Sequence, residues 1–134
     1  MFVLLIVALL QSPQTFRSIG RGPMSGIDEP RQVTVRTLAD WATLWRSHAP
    51  GGQAMPTIDF LRETVVGVFA GTRPTSGYGV AIVRAVDVNG ALIVDYVETR
   101  PAPGAVTAQV LTAPYHLVAV PRHDGEVRFQ RTDK

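Results

Sequence analysis

Residues 65–113 read VVGVFAGTRPTSGYGVAIVRAVDVNGALIVDYVETRPAPGAVTAQVLTA, and this stretch decides the fold. Two apolar runs, residues 65–70 and 80–88, flank a segment, 71–79, that is rich in glycine, proline, serine and threonine. Apolar runs separated in this way are typical of two strands joined by a loop. A further apolar run follows the dipeptide Asn89-Gly90. The stretch therefore predicts a β-rich core built around a hairpin.

The dipeptide Asn89-Gly90 predicts a tight hairpin turn, because a type I′ turn needs positive φ at both central residues. Side chains alternate between the two faces of a strand, so we expect Val80 and Ile82 to share a face with Arg84. The opposite charges of Arg84 and Asp95 support the register. Counting outward from the turn gives the pairs Val88–Ala91, Val86–Ile93, Arg84–Asp95 and Ile82–Val97.

The same count brings Gly79 close to Arg100, so the loops 71–79 and 99–104 should lie at one end of the sheet. The Asn89-Gly90 turn should lie at the other end. We call these two loops the rim. Each contains Arg-Pro, and proline stiffens a loop and lowers the entropy lost on binding. The alternative is that the rim has a structural role alone. In that case its glycines serve only the backbone geometry of the loops, and Tyr78 belongs to the core.

The chain before this stretch contains a strand and a helix. Residues 32–36, QVTVR, alternate and predict a short strand. Thr37 can cap a helix by accepting from the N–H of Asp40. Residues 49–52, APGG, predict the end of the helix. One apolar stripe at helical spacing is expected to pack on the sheet, with His48 placed as a cation at the helix end; it comprises Leu38, Trp41, Leu44, Trp45 and His48.

Further strands are predicted at residues 58–60, 61–70, 105–111 and 115–120. Asp124-Gly125 predicts a second two-residue turn that pairs Val120 with Phe129, and Pro121 favours an edge position. The predicted fold is α+β and β-rich. It is an antiparallel sheet or a two-layer, sandwich-like domain of about seven strands packed with one amphipathic helix.

Residues 1–10, MFVLLIVALL, resemble the apolar centre of a signal peptide and are too short to cross a bilayer. A buried first strand or helix is the alternative. Residues 11–30 contain several prolines and glycines without periodicity and predict a mobile linker. We therefore divide the chain into a signal-like segment with its linker, residues 1–26, and one domain, residues 27–134.

The amino-acid composition limits the kinds of chemistry that the chain can perform. The chain has no cysteine, which excludes disulfides and thiolate chemistry. Its net charge of +2 includes no basic cluster, so nucleic-acid binding is not expected. The three histidines, including His123 beside the predicted turn, show no metal-ligand spacing. Ser76 and Ser47 lie in no nucleophile motif, and Ser76 fits a turn. We predict no metal, no cofactor and no enzymatic activity.

Three segments in order carry a family resemblance: GTRPTSGYGVAIV at 71–83, LIVDYVETRPAPGAV at 92–106 and VLTAPYHLVAV at 110–120. Together they resemble the C-terminal domain family of the bacterial protease complex subunit PrcB. Ser76 stands where that family usually has glycine. The resemblance implies a non-catalytic exported domain that assembles or stabilises a partner protein, in some cases a protease.

A second likeness concerns one loop. Residues 73–78, RPTSGY, are similar to the NPTTGY loop of chagasin-type cysteine protease inhibitors, which enters the protease cleft. Arg73 replaces asparagine and Ser76 replaces threonine. A loop-mediated protease inhibitor is therefore the alternative function.

The leading prediction is an exported protein-interaction domain, located in the periplasm, at the cell surface or outside the cell. Its contact with the membrane would be limited to the N-terminal signal segment. Arginine and tyrosine are enriched in binding hot spots. The residues predicted to contact a protein partner are Arg73, Pro74, Thr75, Ser76, Gly77, Tyr78, Arg100 and Pro101.

Overall fold

The computed structural model describes residues 11–133. The predicted signal-like segment, residues 1–10, lies outside the described residues. In chain order the elements are β1 (Gln11–Pro13), β2 (Arg17–Gly22), β3 (Arg31–Val35), α1 (Leu38–His48), β4 (Glu63–Phe69), β5 (Gly79–Val88), β6 (Ala91–Thr99), β7 (Tyr115–Pro121) and β8 (Val127–Arg131). The predicted β-rich fold with one helix is confirmed.

The strands form two four-stranded sheets that pack face to face. The hairpin sheet has the order β1-β5-β6-β8, and the helix sheet has the order β2-β7-β4-β3. All neighbouring strands are antiparallel except β6 and β8, which are parallel. The helix α1 packs on the outer face of the helix sheet, so the layers run hairpin sheet, helix sheet, helix.

The alternation of β4 places apolar side chains in both cores. Val66 and Val68 face the hairpin sheet, where they pack with residues of β5 and β6. Val65 and Phe69 face the helix and pack with Trp41. Because this strand is buried on both faces, its sequence is a continuous apolar run rather than an alternation of apolar and polar residues.

The helix forms as predicted, with Thr37 Oγ1 accepting from Asp40 N at 3.2 Å. The apolar stripe is only partly buried. Trp41 is fully buried, but Leu38 is 61% exposed and the prediction for it is wrong. Leu38 is the first residue of the helix. The prediction that His48 is a cation at the helix end is also wrong. His48 is buried against Phe69 and Tyr115, and burial lowers its pKa, which favours the neutral ring over a cation.

The predicted hairpin register holds from the turn to the pair Arg84–Asp95 and then shifts. A β-bulge between Ile82 and Arg84 inserts one residue, so Ile82 pairs with Tyr96 instead of Val97. A bulge reverses the alternation of faces beyond it. Ile82 therefore shares the inner face with Ala85, contrary to the prediction, and the extra residue, Val83, is half-exposed.

The predicted linker is wrong for residues 11–22, which form β1 and β2. The strand β1 pairs with β5 and β2 pairs with β7, so this segment supplies an edge strand to each sheet. Backbone pairing compensates for the weak apolar pattern that the sequence shows here. A domain boundary at residue 27 would separate β2 from the sheet in which it pairs.

The C-terminal predictions also need correction. Asp124-Gly125 does not close a hairpin, because β7 and β8 belong to different sheets and residues 122–126 cross between them. The β8 strand instead pairs with β6. Pro121 is the last residue of a strand that lies between β2 and β4, so it does not mark an edge strand. Residues 58–60 form no strand, and Asp59 Oδ1 accepts from Leu61 N in a turn.

His116 connects the two sheets at the bulge. It lies on β7, and its Nδ1 accepts a hydrogen bond from the backbone N–H of Ile82 at 2.8 Å. Its Nε2 therefore carries the proton and donates to Ser18 Oγ at 3.0 Å. Burial, with a smaller effect from the charge of Arg21, lowers the pKa of His116 to about 4. The neutral ring thus satisfies a backbone donor that the bulge leaves without a strand partner.

We expect His116 to make stability depend on pH. Its pKa is about 4 in the folded protein against an ordinary value of 6.5, so the unfolded chain binds the proton first as pH falls. The stabilisation is complete above pH 6.5 and is lost between pH 6.5 and 4. Urea unfolding at several pH values measures it.

His116→Gln is the matched variant, because a glutamine amide can still accept from Ile82 but does not titrate. Its unfolding free energy should fall less than that of the wild type across this pH range. Equal losses in the two proteins would show that His116 is not the titrating group.

Candidate functional site

The two rim loops lie side by side, as predicted. Gly79 pairs with Thr99, one residue from the predicted partner Arg100, because of the bulge. Gly77 has φ +92°, and a Cβ at this position would lie 2.9 Å from Pro101 Cγ. The loop 71–79 therefore turns against the loop 99–104 through a backbone conformation that favours glycine.

Residues 105–113 hold the first rim loop in place. Arg73 and Thr112 exchange backbone hydrogen bonds of 2.7 and 2.9 Å. Ser76 N donates to Ala108 O at 3.1 Å, and Ala108 N donates to Ser76 Oγ at 2.8 Å. We call residues 105–113 the clasp. Sequence analysis predicted a strand at 105–111, which is wrong, because these residues bond to a loop and add no strand to either sheet.

Comparison with known families covers this same region. Residues 64–121 match the model of the PrcB C-terminal family. The match to the PrcB C-terminal family confirms the resemblance and runs from β4 to the end of β7, so it contains the hairpin, both rim loops and the clasp. No curated protein and no solved structure matches the chain.

Within the region similar to PrcB, Arg73 forms a partly buried ion pair with Glu98. Arg73 Nε lies 2.7 Å from Glu98 Oε1, and the Glu98 side chain is only 6% exposed. Arg131 Nη1 lies 3.2 Å from the other carboxylate oxygen of Glu98. The pair with Glu98 raises the pKa of Arg73. Arg73 therefore anchors its loop to β6, whereas sequence analysis placed it at the partner surface.

The Glu98 pair continues to the end of the described chain. Arg131 donates to Asp133 at 2.7 Å, and this bond holds the pKa of Asp133 well below its usual range. Asp133 also accepts from the backbone N–H of Glu98 at 3.1 Å. These charges stabilise each other at the rim, because each carboxylate of the network lies within ion-pair distance of an arginine guanidinium.

The other predicted site residues divide by exposure. Pro74, Gly77 and Arg100 are exposed, whereas Thr75, Ser76, Tyr78 and Pro101 are partly buried. Thr75 O accepts from Thr112 Oγ1 at 2.9 Å, so the backbone of the loop is tied to the clasp at this residue too. Within residues 11–133 the Arg100 side chain makes no hydrogen bond or ion pair.

Exposed apolar side chains next to these loops were missed by sequence analysis. Val106 is fully exposed, Leu111 is 65% exposed and Val110 is 49% exposed. Met24, 61% exposed, lies beside the clasp through a backbone bridge to Ala113. We call Met24, Val106, Val110 and Leu111 the rim patch. One signal in the sequence could have revealed this exposure. The prolines and glycine at 101–104 come just before the clasp and disfavour a buried strand at residues 105–111.

Among residues 11–133, no three histidine or acidic side chains converge as metal ligands do. The described part of the chain also has no helix long and apolar enough to cross a membrane. The side chain of His123, the residue beside the predicted Asp124-Gly125 turn, is mostly buried, with Nδ1 3.6 Å from Asp87 Oδ2.

We expect Gly77→Ala to destabilise the protein by about 1–3 kcal/mol, because alanine resists positive φ and its Cβ would press on Pro101. Gly90→Ala is the control. Gly90 has φ +88° but no atom within 4 Å of the added Cβ. Chemical denaturation of both variants should show the larger loss at Gly77. A larger loss at Gly90 would mean that the contact with Pro101 is unimportant.

Arg73→Ala should lower stability by about 1–3 kcal/mol, because it removes a charged partner from a nearly buried Glu98. Arg100→Ala removes an exposed arginine of the same rim that forms no ion pair within residues 11–133, and it should change stability by less than about 0.5 kcal/mol. Thermal unfolding of the two variants compares them directly. Equal melting temperatures would contradict the anchoring role of Arg73.

Proposed function

We propose that the chain is a non-catalytic protein-interaction domain of the PrcB C-terminal type, which binds a partner protein through its rim. The partner class follows from the resemblance, which implies association with a protease complex. We further propose that the domain is exported, because residues 1–10 form a continuous apolar run of the kind found in signal peptides.

The rim patch is the observation that carries this proposal. Three of its four side chains, Val106, Val110 and Leu111, are exposed on the same segment, the clasp, and groups of exposed apolar side chains are a feature of interaction sites. Val106 and Leu111 sit on a clasp whose backbone is bonded to the rim loop, so little order has to be gained on binding. Arg100, on the second rim loop, is exposed and forms no ion pair within residues 11–133, and arginine is enriched in binding hot spots.

The proposal assigns two kinds of role to the rim. Pro74, Gly77, Arg100 and the rim patch contact the partner directly. The remaining predicted residues shape this surface from behind: Arg73, Thr75, Ser76, Tyr78 and Pro101. Arg73 is therefore a positioning residue, and its loss would weaken binding together with stability.

The inhibitor alternative receives less support. An inhibitory loop must project into a protease cleft, yet residues 73–76 are bonded along their length to the clasp. Insertion of this loop would require the clasp to enter with it. A broad contact that uses loop and clasp together fits the geometry better.

The test is a pull-down from the envelope fraction of the native organism with the folded chain from Gln11 onward, since β1 and β2 belong to the sheets. Leu111→Asp and Arg100→Ala should each reduce recovery of one specific partner by about tenfold or more. Mass spectrometry identifies the protein, and titration with the purified partner gives the affinity.

Leu61→Asp is the matched control. Leu61 is 79% exposed, comparable to Leu111 at 65%, but it lies in the turn before β4, away from the rim. This variant should bind like the wild type. Equal losses of partner recovery in the Leu61 and Leu111 variants would reject the rim as the binding surface. Inhibition of papain-like proteases by the purified domain would favour the inhibitor function instead.

A further inference from the structure

The edges of the two sheets are not equally protected. An edge strand offers unpaired backbone groups to another strand, and proteins usually block it with proline, bulges or charge. The edge strand β1 ends in Pro13, β2 contains a bulge after Ser18, and β8 carries Arg128 and Arg131. The edge strand β3 pairs with β4 over five residues in unbroken register, contains no proline, and carries a charge only at its first residue, Arg31.

The outward-facing groups of β3 follow from the pairing of β4. Ala70 N donates to Pro114 O at 2.9 Å, which shows that the even-numbered residues of β4 bond toward β7. The odd-numbered residues then bond toward β3, where they meet Arg31, Val33 and Val35. Alternation leaves the N–H and C=O groups of Gln32 and Thr34 pointing away from the sheet.

These groups open into a groove between β3 and the side of α1. The helix contributes three short polar or acidic side chains to its wall, Asp40, Thr43 and Ser47, together with the buried Leu44. Val33 and Val35 pack beneath the helix, so Arg31 lies on the helix side of the strand as well. Because α1 runs back along β3, Arg31 and Asp40 lie at opposite ends of the groove.

We propose that this edge binds a second copy of the chain, with the two β3 strands antiparallel about a two-fold axis at Val33. Gln32 of each copy then faces Thr34 of the other, and each such pair exchanges two backbone hydrogen bonds. The two helix sheets become one continuous sheet. The short side chains of Thr43 and Ser47 allow the two helices to lie next to each other.

Charge favours a second copy over an unrelated peptide. In an antiparallel pair related by a two-fold axis, each end of the groove in one copy lies next to the opposite end of the groove in the other copy. Arg31 of one copy therefore approaches Asp40 of the other, twice in the same interface. No separate partner is needed to supply the complementary charges, and the dimer leaves the rim of each copy free to bind a protein.

The test is sedimentation equilibrium of the full chain with a charge exchange. Arg31→Glu alone and Asp40→Arg alone each place two like-charge pairs in the dimer, so each should dimerise about tenfold or more weakly than the wild type. An equimolar mixture of the two variants restores both opposite-charge pairs. It should therefore dimerise like the wild type.

Two further variants make the result specific. Thr34→Pro removes an outward N–H and leaves the bonds to β4 in place, so it should abolish the dimer while circular dichroism stays native. Arg100→Glu makes the same charge change outside the groove and should leave dimerisation unchanged. A wild type that is monomeric at its highest soluble concentration, or a mixture no stronger than its components, would overturn the proposal.

Discussion

The pairing of β4 with β7 is the constraint on which the rest of the structure depends. These strands are buried on both faces: Val66 and Val118 face the hairpin sheet, while Val65 and Leu117 face the helix, and all four are fully buried. Burying each such side chain contributes about 1.5–3 kcal/mol. Neither face can be left to water, so the hairpin and the helix must both dock on this pair.

The sequence predicted those parts of the fold that rest on local signals. The turn at Asn89-Gly90 has positive φ at both residues, and the pairs near it follow from counting. The bulge at Val83 could not be predicted, because it arises from the need of Ile82 and Ala85 to face the same distant strands. Asp124-Gly125 carries an equally good local signal, but the free edge of β6 takes β8 as its partner instead.

The candidate site shows the same division. The prediction that both rim loops lie at one end of the sheet needed only the hairpin register. The register was wrong by one residue beyond the bulge, but this error did not move either loop to the other end. The anchoring of Arg73 depends on Glu98, which follows Val94 and Tyr96 along one face to the point where the apolar core stops. The clasp joins irregular segments about thirty residues apart, mostly through backbone groups, which every residue possesses, and through the hydroxyls of Ser76 and Thr112. Neither kind of group produces a periodic sequence pattern from which the pairing could be predicted.

The N-terminal strands have a mechanical consequence. Since β1 lies in one sheet and β2 in the other, a pull on the chain at Gln11 first loads the three-residue pairing of β1 with β5. The bonds there would open one after another, exposing the edge of β5. The load would then pass through residues 14–16 to β2, and from there to the buried pair of strands. A domain tethered at this end would yield stepwise, with its hairpin sheet opened before its rim is disturbed.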